Sequence, residues 1–321
     1  MILTVTVNPL LERKFTFERI IYGIQNRQGV EKLRAGGKGI NVSRQLNKLN
    51  LQNLAFTFIG GNNGKLFKDT LTREEIDFTF VRSASETRNS VLTIDKFQNT
   101  ITTFFGPNSE ISKEEVDEFK SKLEKMIQNC EVVIFSGSSP CKTADSIFPF
   151  GIEIANKYDK VSVCDTYGKQ LKDCIESGPT IIHNNIEETE QSLEIDLGSE
   201  KAKSEYLDFL YSKNIKQTYL TNGADESYCS NFDYHFKVKI PKVKSVDSMG
   251  SGDSFVAGIV YGWHNNLTFE NSLLIASALG TANSLTFDTS NVLLKDAEVF
   301  YDSISIQPIG KKMKIVDVSP D

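Results

Sequence analysis

The stretch Val246-Asp247-Ser248-Met249-Gly250-Ser251-Gly252-Asp253-Ser254-Phe255 sets two glycines around a small residue and delivers an aspartate just as an apolar helix pattern begins. Gly250 and Gly252 free the backbone to aim successive N–H groups at an anion, and a helix starting near Gly252 adds the positive end of its dipole. Asp253, in the first turn, then stands beside an anion hole formed by Gly250, Ser251 and Gly252. A carboxylate there can accept a proton from a substrate hydroxyl while the hole stabilises charge on a transferred phosphoryl group. Alone, the string equally suits a plain helix start at which Asp253 complements the dipole. A second glycine cluster, Ala35-Gly36-Gly37-Lys38-Gly39-Ile40-Asn41-Val42-Ser43-Arg44, tips the balance toward chemistry.

Outward from these clusters the chain reads as strand then helix, repeatedly. Ile2 to Val7 predicts a buried strand, Ile40 to Leu49 a helix, Leu54 to Ile59 a strand and Gly64 to Arg73 a helix. The same rhythm resumes with helix Lys113 to Asn129, strand Glu131 to Ser136, helix Ser146 to Lys157 and strand Val161 to Asp165. Strands at Thr180 to His183 and Gln217 to Thr221 follow, then a hairpin over Ser227 to Val238 and helices starting near Gly252, Asn271 and Leu294. Such alternation predicts a mostly parallel sheet covered by helices on both faces. The thirty residues from Pro9 to Ala35 are too many for an ordinary connection. Together with a hairpin over Ser90 to Asp95 and Thr100 to Phe105, they predict a small sheet standing off the main body.

The 321 residues, 39% hydrophobic and 24% charged, fit one large α/β domain over 1–321 with a β lid from about 9–35 and 88–107. No apolar run reaches the length of a spanning helix and the first residues lack a signal-peptide pattern, so a cytoplasmic protein without membrane attachment is expected. A net charge of −6 opposes a nucleic-acid surface. Five cysteines without C-x-x-C spacing suggest neither a disulfide framework nor a zinc site. Gly60-Gly61-Asn62-Asn63-Gly64-Lys65-Leu66 lacks P-loop spacing and the magnesium-holding hydroxyl, and Asn8-Pro9-Leu10 after the first strand excludes a dinucleotide fingerprint.

With both glycine clusters present in this order, about two hundred residues apart, the chain resembles the PfkB-type branch of the ribokinase-like sugar kinases. Within that branch it is most similar to the phosphosugar kinases. The resemblance implies a ribokinase-like three-layer sandwich with a small β lid, and a kinase that uses ATP and Mg²⁺ to phosphorylate a ketohexose phosphate. It also implies Asp253 as base, Glu188 of the N-x-x-E pattern near the metal, and Asn185, Thr221, Gly223, Gly250, Gly252 and Asn283 toward the nucleotide. Glu12, Gly36, Gly37, Asn41 and Ser138 fall to the sugar, and Arg27, Lys38 and Arg88 to its phosphate, arginine offering a fork that suits phosphate. A homodimer through the lid is implied as well. The chain departs from the pattern at Glu12, where the family has aspartate, and at His183 and Asn184, where it has Lys-Pro. The alternatives are a kinase for an unphosphorylated sugar or a nucleoside, and a weakly active sensor of sugar phosphate or nucleotide.

Overall fold

A computed structural model of the chain describes residues 1–309; the remainder of the expected 1–321 domain lies outside the described residues. In chain order the elements are β1 (Ile2–Thr6), β2 (Leu10–Phe17), β3 (Val30–Gly36), α1 (Lys38–Lys48), β4 (Asn53–Gly60), α2 (Gly61–Arg73), β5 (Phe78–Ser83), β6 (Arg88–Asp95), β7 (Thr100–Phe105) and α3 (Lys113–Gln128). There follow β8 (Val132–Ser136), α4 (Ile147–Lys157), β9 (Val161–Asp165), α5 (Gln170–Glu176), β10 (Ile181–Asn185), α6 (Ile186–Leu193), α7 (Glu200–Ser212) and β11 (Gln217–Thr221). The last elements are β12 (Ser227–Asn231), β13 (Tyr234–Lys239), α8 (Ser251–His264), α9 (Phe269–Asn283), α10 (Leu294–Glu298) and β14 (Ser305–Ile309).

Ten strands form the main sheet in the order β14-β13-β12-β11-β10-β9-β8-β1-β4-β5. From β11 to β5 every neighbouring pair is parallel, and only β12, β13 and β14 run antiparallel at one edge. Period-two geometry explains why the inner strands read as unbroken apolar runs. Val133 and Phe135 of β8 face the core under α3 and α4, whereas Val132 and Ile134 face the core under α1, α8 and α9. Both faces are covered, so both sets must be apolar.

The four remaining strands form a separate sheet in the order β3-β2-β6-β7. It draws on two distant segments: β2 pairs antiparallel with β3 and parallel with β6, setting Leu10 opposite both Gly36 and Arg88. Leu11 and Ala35 anchor it to the body by packing with Ile40, Ile59 and Phe67 in a third apolar cluster. The fold is the ribokinase-like α/β sandwich with a small accessory sheet. The glycines at 60 and 61 lead into α2, whose Asn63 N–H donates to the Glu86 carboxylate, so the protein itself fills that helix start. No helix among the described residues is long and apolar enough to cross a membrane.

Candidate active site

The parallel strands β1, β8, β9, β10 and β11 all end on the same side of the sheet, and the helices α1 and α8 begin there. This is where open α/β sheets place their ligands. Gly250 caps α8 with φ +80°, and a Cβ at that position would meet Thr289 Cγ2 at 2.3 Å. Only glycine makes this turn in this packing. Asn283, a candidate for the nucleotide from the sequence, is fully buried behind the turn. Its amide donates to the Met249 carbonyl (2.8 Å) and Ser251 Oγ (3.2 Å), and its Oδ1 accepts the Ser290 N–H (2.7 Å). These bonds hold the Gly250–Gly252 turn and leave the amide nothing to offer a nucleotide base.

Asp253 is 5% exposed on the first turn of α8, and Asn41 Nδ2 of α1 donates to its Oδ2 at 2.8 Å. The two glycine clusters, two hundred residues apart in sequence, therefore meet at this carboxylate. Arg44 Nη1 donates to Asn41 Oδ1 (2.8 Å) and its Nη2 to Glu74 Oε2 (2.6 Å), which fixes the orientation of Asn41. Burial, reinforced by the negative charge of Asp165, pushes the Asp253 carboxyl up to about 7, against the opposing pull of Lys38.

Asp165, the last residue of β9, was not singled out from the sequence, yet it organises the floor of the site. Ser136 Oγ donates to its Oδ2 (2.6 Å), His183 Nδ1 lies 3.0 Å from its Oδ1, and Lys38 Nζ stands 3.6 Å away. Burial alone would raise its pKa; the Lys38 charge and the His183 and Ser136 hydrogen bonds outweigh burial and hold it well below the usual carboxylate range. Lys38 also donates to Glu188 Oε1 and Oε2 (3.2 and 3.1 Å). Burial works against its charge, but Asp165, Glu188 and Asp253 together outweigh burial and keep the ammonium firmly protonated. His183 stacks on Phe255 of α8 with ring centroids 5.2 Å apart, and its Nε2 lies 3.2 Å from Thr221 Oγ1. Two carboxylates are thus driven in opposite directions within one site, a common mark of acid–base chemistry.

At the nucleotide end, Asn185 caps α6 by accepting the Glu187 N–H (2.9 Å), and Gly223 sits in an exposed turn with φ +57°. At the other end, Arg88 Nη1 donates to Asn108 Oδ1 (3.0 Å), and Asn8 Nδ2 donates to Ser138 Oγ (3.1 Å) and Asn108 Oδ1 (3.2 Å). Arg88 Nε is buried without a partner. A cavity of about 480 Å³ opens beside this group, lined by Asn108, Ser138 and Tyr167 among others. Glu12 is buried on β2, in register with Arg34 of β3 and Ser90 of β6. Gly36 ends β3, and Gly37 turns the chain into α1 with φ +114°. Arg27 does not join the cluster: it is exposed and donates to Gln25 Oε1. A larger cavity of about 530 Å³ lies behind the site and meets this chain of contacts through Arg44 and Glu74.

Comparison with known proteins places the chain among relatives. The chain is 28% identical over 310 residues to tagatose-6-phosphate kinase of Staphylococcus epidermidis, a match covering 95% of this chain and 99% of the relative. A solved Thermotoga maritima structure described as a possible 1-phosphofructokinase shares the fold with a TM-score of 0.87 at 23% identity, covering 97% of this chain and 100% of that one. The tetrameric inhibited form of phosphofructokinase-2 from Escherichia coli gives 0.84 at 21% identity, covering 94% and 98%. The model of the pfkB family of carbohydrate kinases matches residues 12–296, most of the chain and both glycine clusters. The chain therefore belongs to the pfkB family of carbohydrate kinases.

Proposed function

We propose that this carbohydrate kinase uses ATP and Mg²⁺ to phosphorylate a hydroxyl of a ketohexose phosphate, yielding a sugar bisphosphate. The observation that carries the phosphosugar reading is Arg88. A guanidinium with a buried, unpartnered Nε, set beside Asn8 and bonded to Asn108, which with Ser138 lines the adjoining cavity, is suited to a phosphate oxygen. The tagatose-6-phosphate kinase relative supports the same substrate class.

In this reading the sugar lies between Gly36, Gly37, Asn41 and Glu12, with its reacting hydroxyl at Asp253. Asp253 takes the hydroxyl proton as the oxygen bonds to the γ-phosphorus and the bond to the ADP oxygen breaks. The N–H groups of Gly250 to Gly252 receive the charge on the transferred group, and so does the Lys38 ammonium, which stands by Asp165 and Glu188 rather than with Arg88 at the sugar's own phosphate as expected from the sequence. Thr221, Gly223 and Asn185 flank the nucleotide. Among the described residues no three His, Cys, Asp or Glu side chains form a metal cage. The single half-buried Glu188 fits a magnesium ion brought in on the nucleotide phosphates and touched through water, where it would neutralise phosphate charge. The accessory sheet acts as a lid that excludes water, and two copies pair through it.

The test is ADP release with fructose 1-phosphate, fructose 6-phosphate, tagatose 6-phosphate, free sugars and nucleosides. Turnover on a ketose phosphate is expected; turnover confined to free sugars or nucleosides would replace this reading with that of a neutral-substrate kinase.

A further inference from the structure

Lys14 is a lysine of the lid with 5% exposure, and burying an ammonium is costly unless oxygen atoms replace its water. It lies on β2 directly opposite Lys32 of β3, a like-charge pair that a sheet does not favour by itself. Two residues away on the same strand face, Glu12 stands opposite Arg34. What this face meets is the loop after α9. Lys14 Nζ donates to the Phe287 carbonyl, Arg34 Nη1 and Lys32 Nζ each donate to Asp288 Oδ1 at 3.0 Å, and Arg34 Nη2 donates to the Thr289 carbonyl at 2.8 Å.

That loop is in turn bonded to the catalytic turn. Ser290 Oγ donates to the Gly250 carbonyl at 3.2 Å, and the Ser290 N–H meets Asn283, which holds Met249 and Ser251. Asp247, just ahead of the turn, accepts the Met249 N–H through Oδ1 (2.9 Å), while its Oδ2 is buried without a hydrogen-bond partner. The Lys14 charge acts on Asp247 from the lid side. Burial lowers the Lys14 pKa, with Glu12, Asp247 and Asp288 pulling the other way and Arg34 adding to the decrease.

We infer that Lys14 is a positioning residue: its ammonium joins the lid to the 287–290 loop through the Phe287 carbonyl, and that loop, bonded to Gly250 through Ser290, holds the Gly250–Gly252 turn in its phosphoryl-binding shape. The inference rests on the reading of that turn as the anion hole. Lid seating and anion-hole geometry are then one event, because the strand that carries Glu12 also carries the cation that braces the hole.

The test compares wild type with Lys14→Met on whichever substrate the wild type turns over, so the substrate reading is settled first and separately. Lys14→Met is expected to lower kcat by about 10- to 100-fold, the range for losing a hydrogen bond to a charged group. Ammonium or methylammonium chloride, small enough to take the place of the lost ammonium at the Phe287 carbonyl, should restore part of that loss. Sodium chloride at equal ionic strength should not, and wild type should respond to neither. Ser290→Ala, which removes the bond from the loop to the Gly250 carbonyl, should lower kcat as well, and the double variant should be no worse than the poorer single one. A kcat for Lys14→Met within twofold of wild type, a loss that ammonium repairs no better than sodium, or losses that multiply in the double variant would each overturn the inference. Should thermal melting show Lys14→Met unfolded, Lys14→Gln carries the same comparison.

Discussion

Asp253 sits where a base is useful and where a charge is expensive, and both consequences are measurable. Its carboxyl is raised from about 3.9 in an unfolded chain to about 7. In the proposed mechanism the ionised form is the base, so kcat/KM should fall as pH drops below about 7. Folding favours the protonated form; its contribution to stability is full below the unfolded value and is lost as pH rises to the folded one. Asp253→Asn should therefore melt higher than wild type at pH 8, with the gain shrinking toward pH 4, while kcat drops about 10³-fold or more and sugar binding persists. A melting gain independent of pH would contradict this account. Arg88→Ala should raise KM for a phosphorylated sugar about tenfold or more and spare any neutral substrate; equal loss on both would remove its phosphate role. Asp253 and Asn41 were legible because each lies in a contiguous string whose glycines imply a backbone shape. Asp165, Arg44 and Asn108 were not. Each is one polar residue at a strand end, on a helix or in a loop, and its meaning depends on partners as far as 29, 30 or 100 residues away.

At the level of elements, α1 and α8 do most to bring the site together, and the turn before α8 is the least forgiving part. Gly250→Ala would place a methyl group against Thr289 and Ser290 in a left-handed conformation. A loss of about 2 kcal/mol or more in urea denaturation is expected, with near-complete loss of turnover. A folded Gly250→Ala enzyme of normal activity would show that the turn has slack. The β–α alternation of the inner sheet could be read directly, since long apolar runs and amphipathic helices have distinct periods. The strands β5 and β14 could not: both are edge strands with mixed burial, lacking the continuous apolar signal of a strand covered on both faces. The short α5, with no side-chain cap, gave no start signal either. Asn283 shows a different limit, since its place on the last turn of α9 was visible while its full burial was not.

Across the whole molecule, large apolar side chains are left open on the accessory sheet and its loops. Tyr22, Ile24, Val30, Phe104 and Phe105 are each at least 60% exposed. A patch of this kind suits association, in keeping with the lid pairing proposed above, and light scattering should report a mass of two chains. Phe104→Asp is expected to shift that mass to one chain; a wild-type monomer would dismiss lid pairing. The strands of this sheet enter and leave the body through two separate excursions, one between β1 and α1 and the other between β5 and α3. Neither excursion supplies a strand to the main sheet. If this sheet carries the sugar-binding Glu12 and Arg88 as proposed, exchanging segments 9–36 and 88–106 together with those of a relative should transplant sugar preference while the nucleotide half keeps its own.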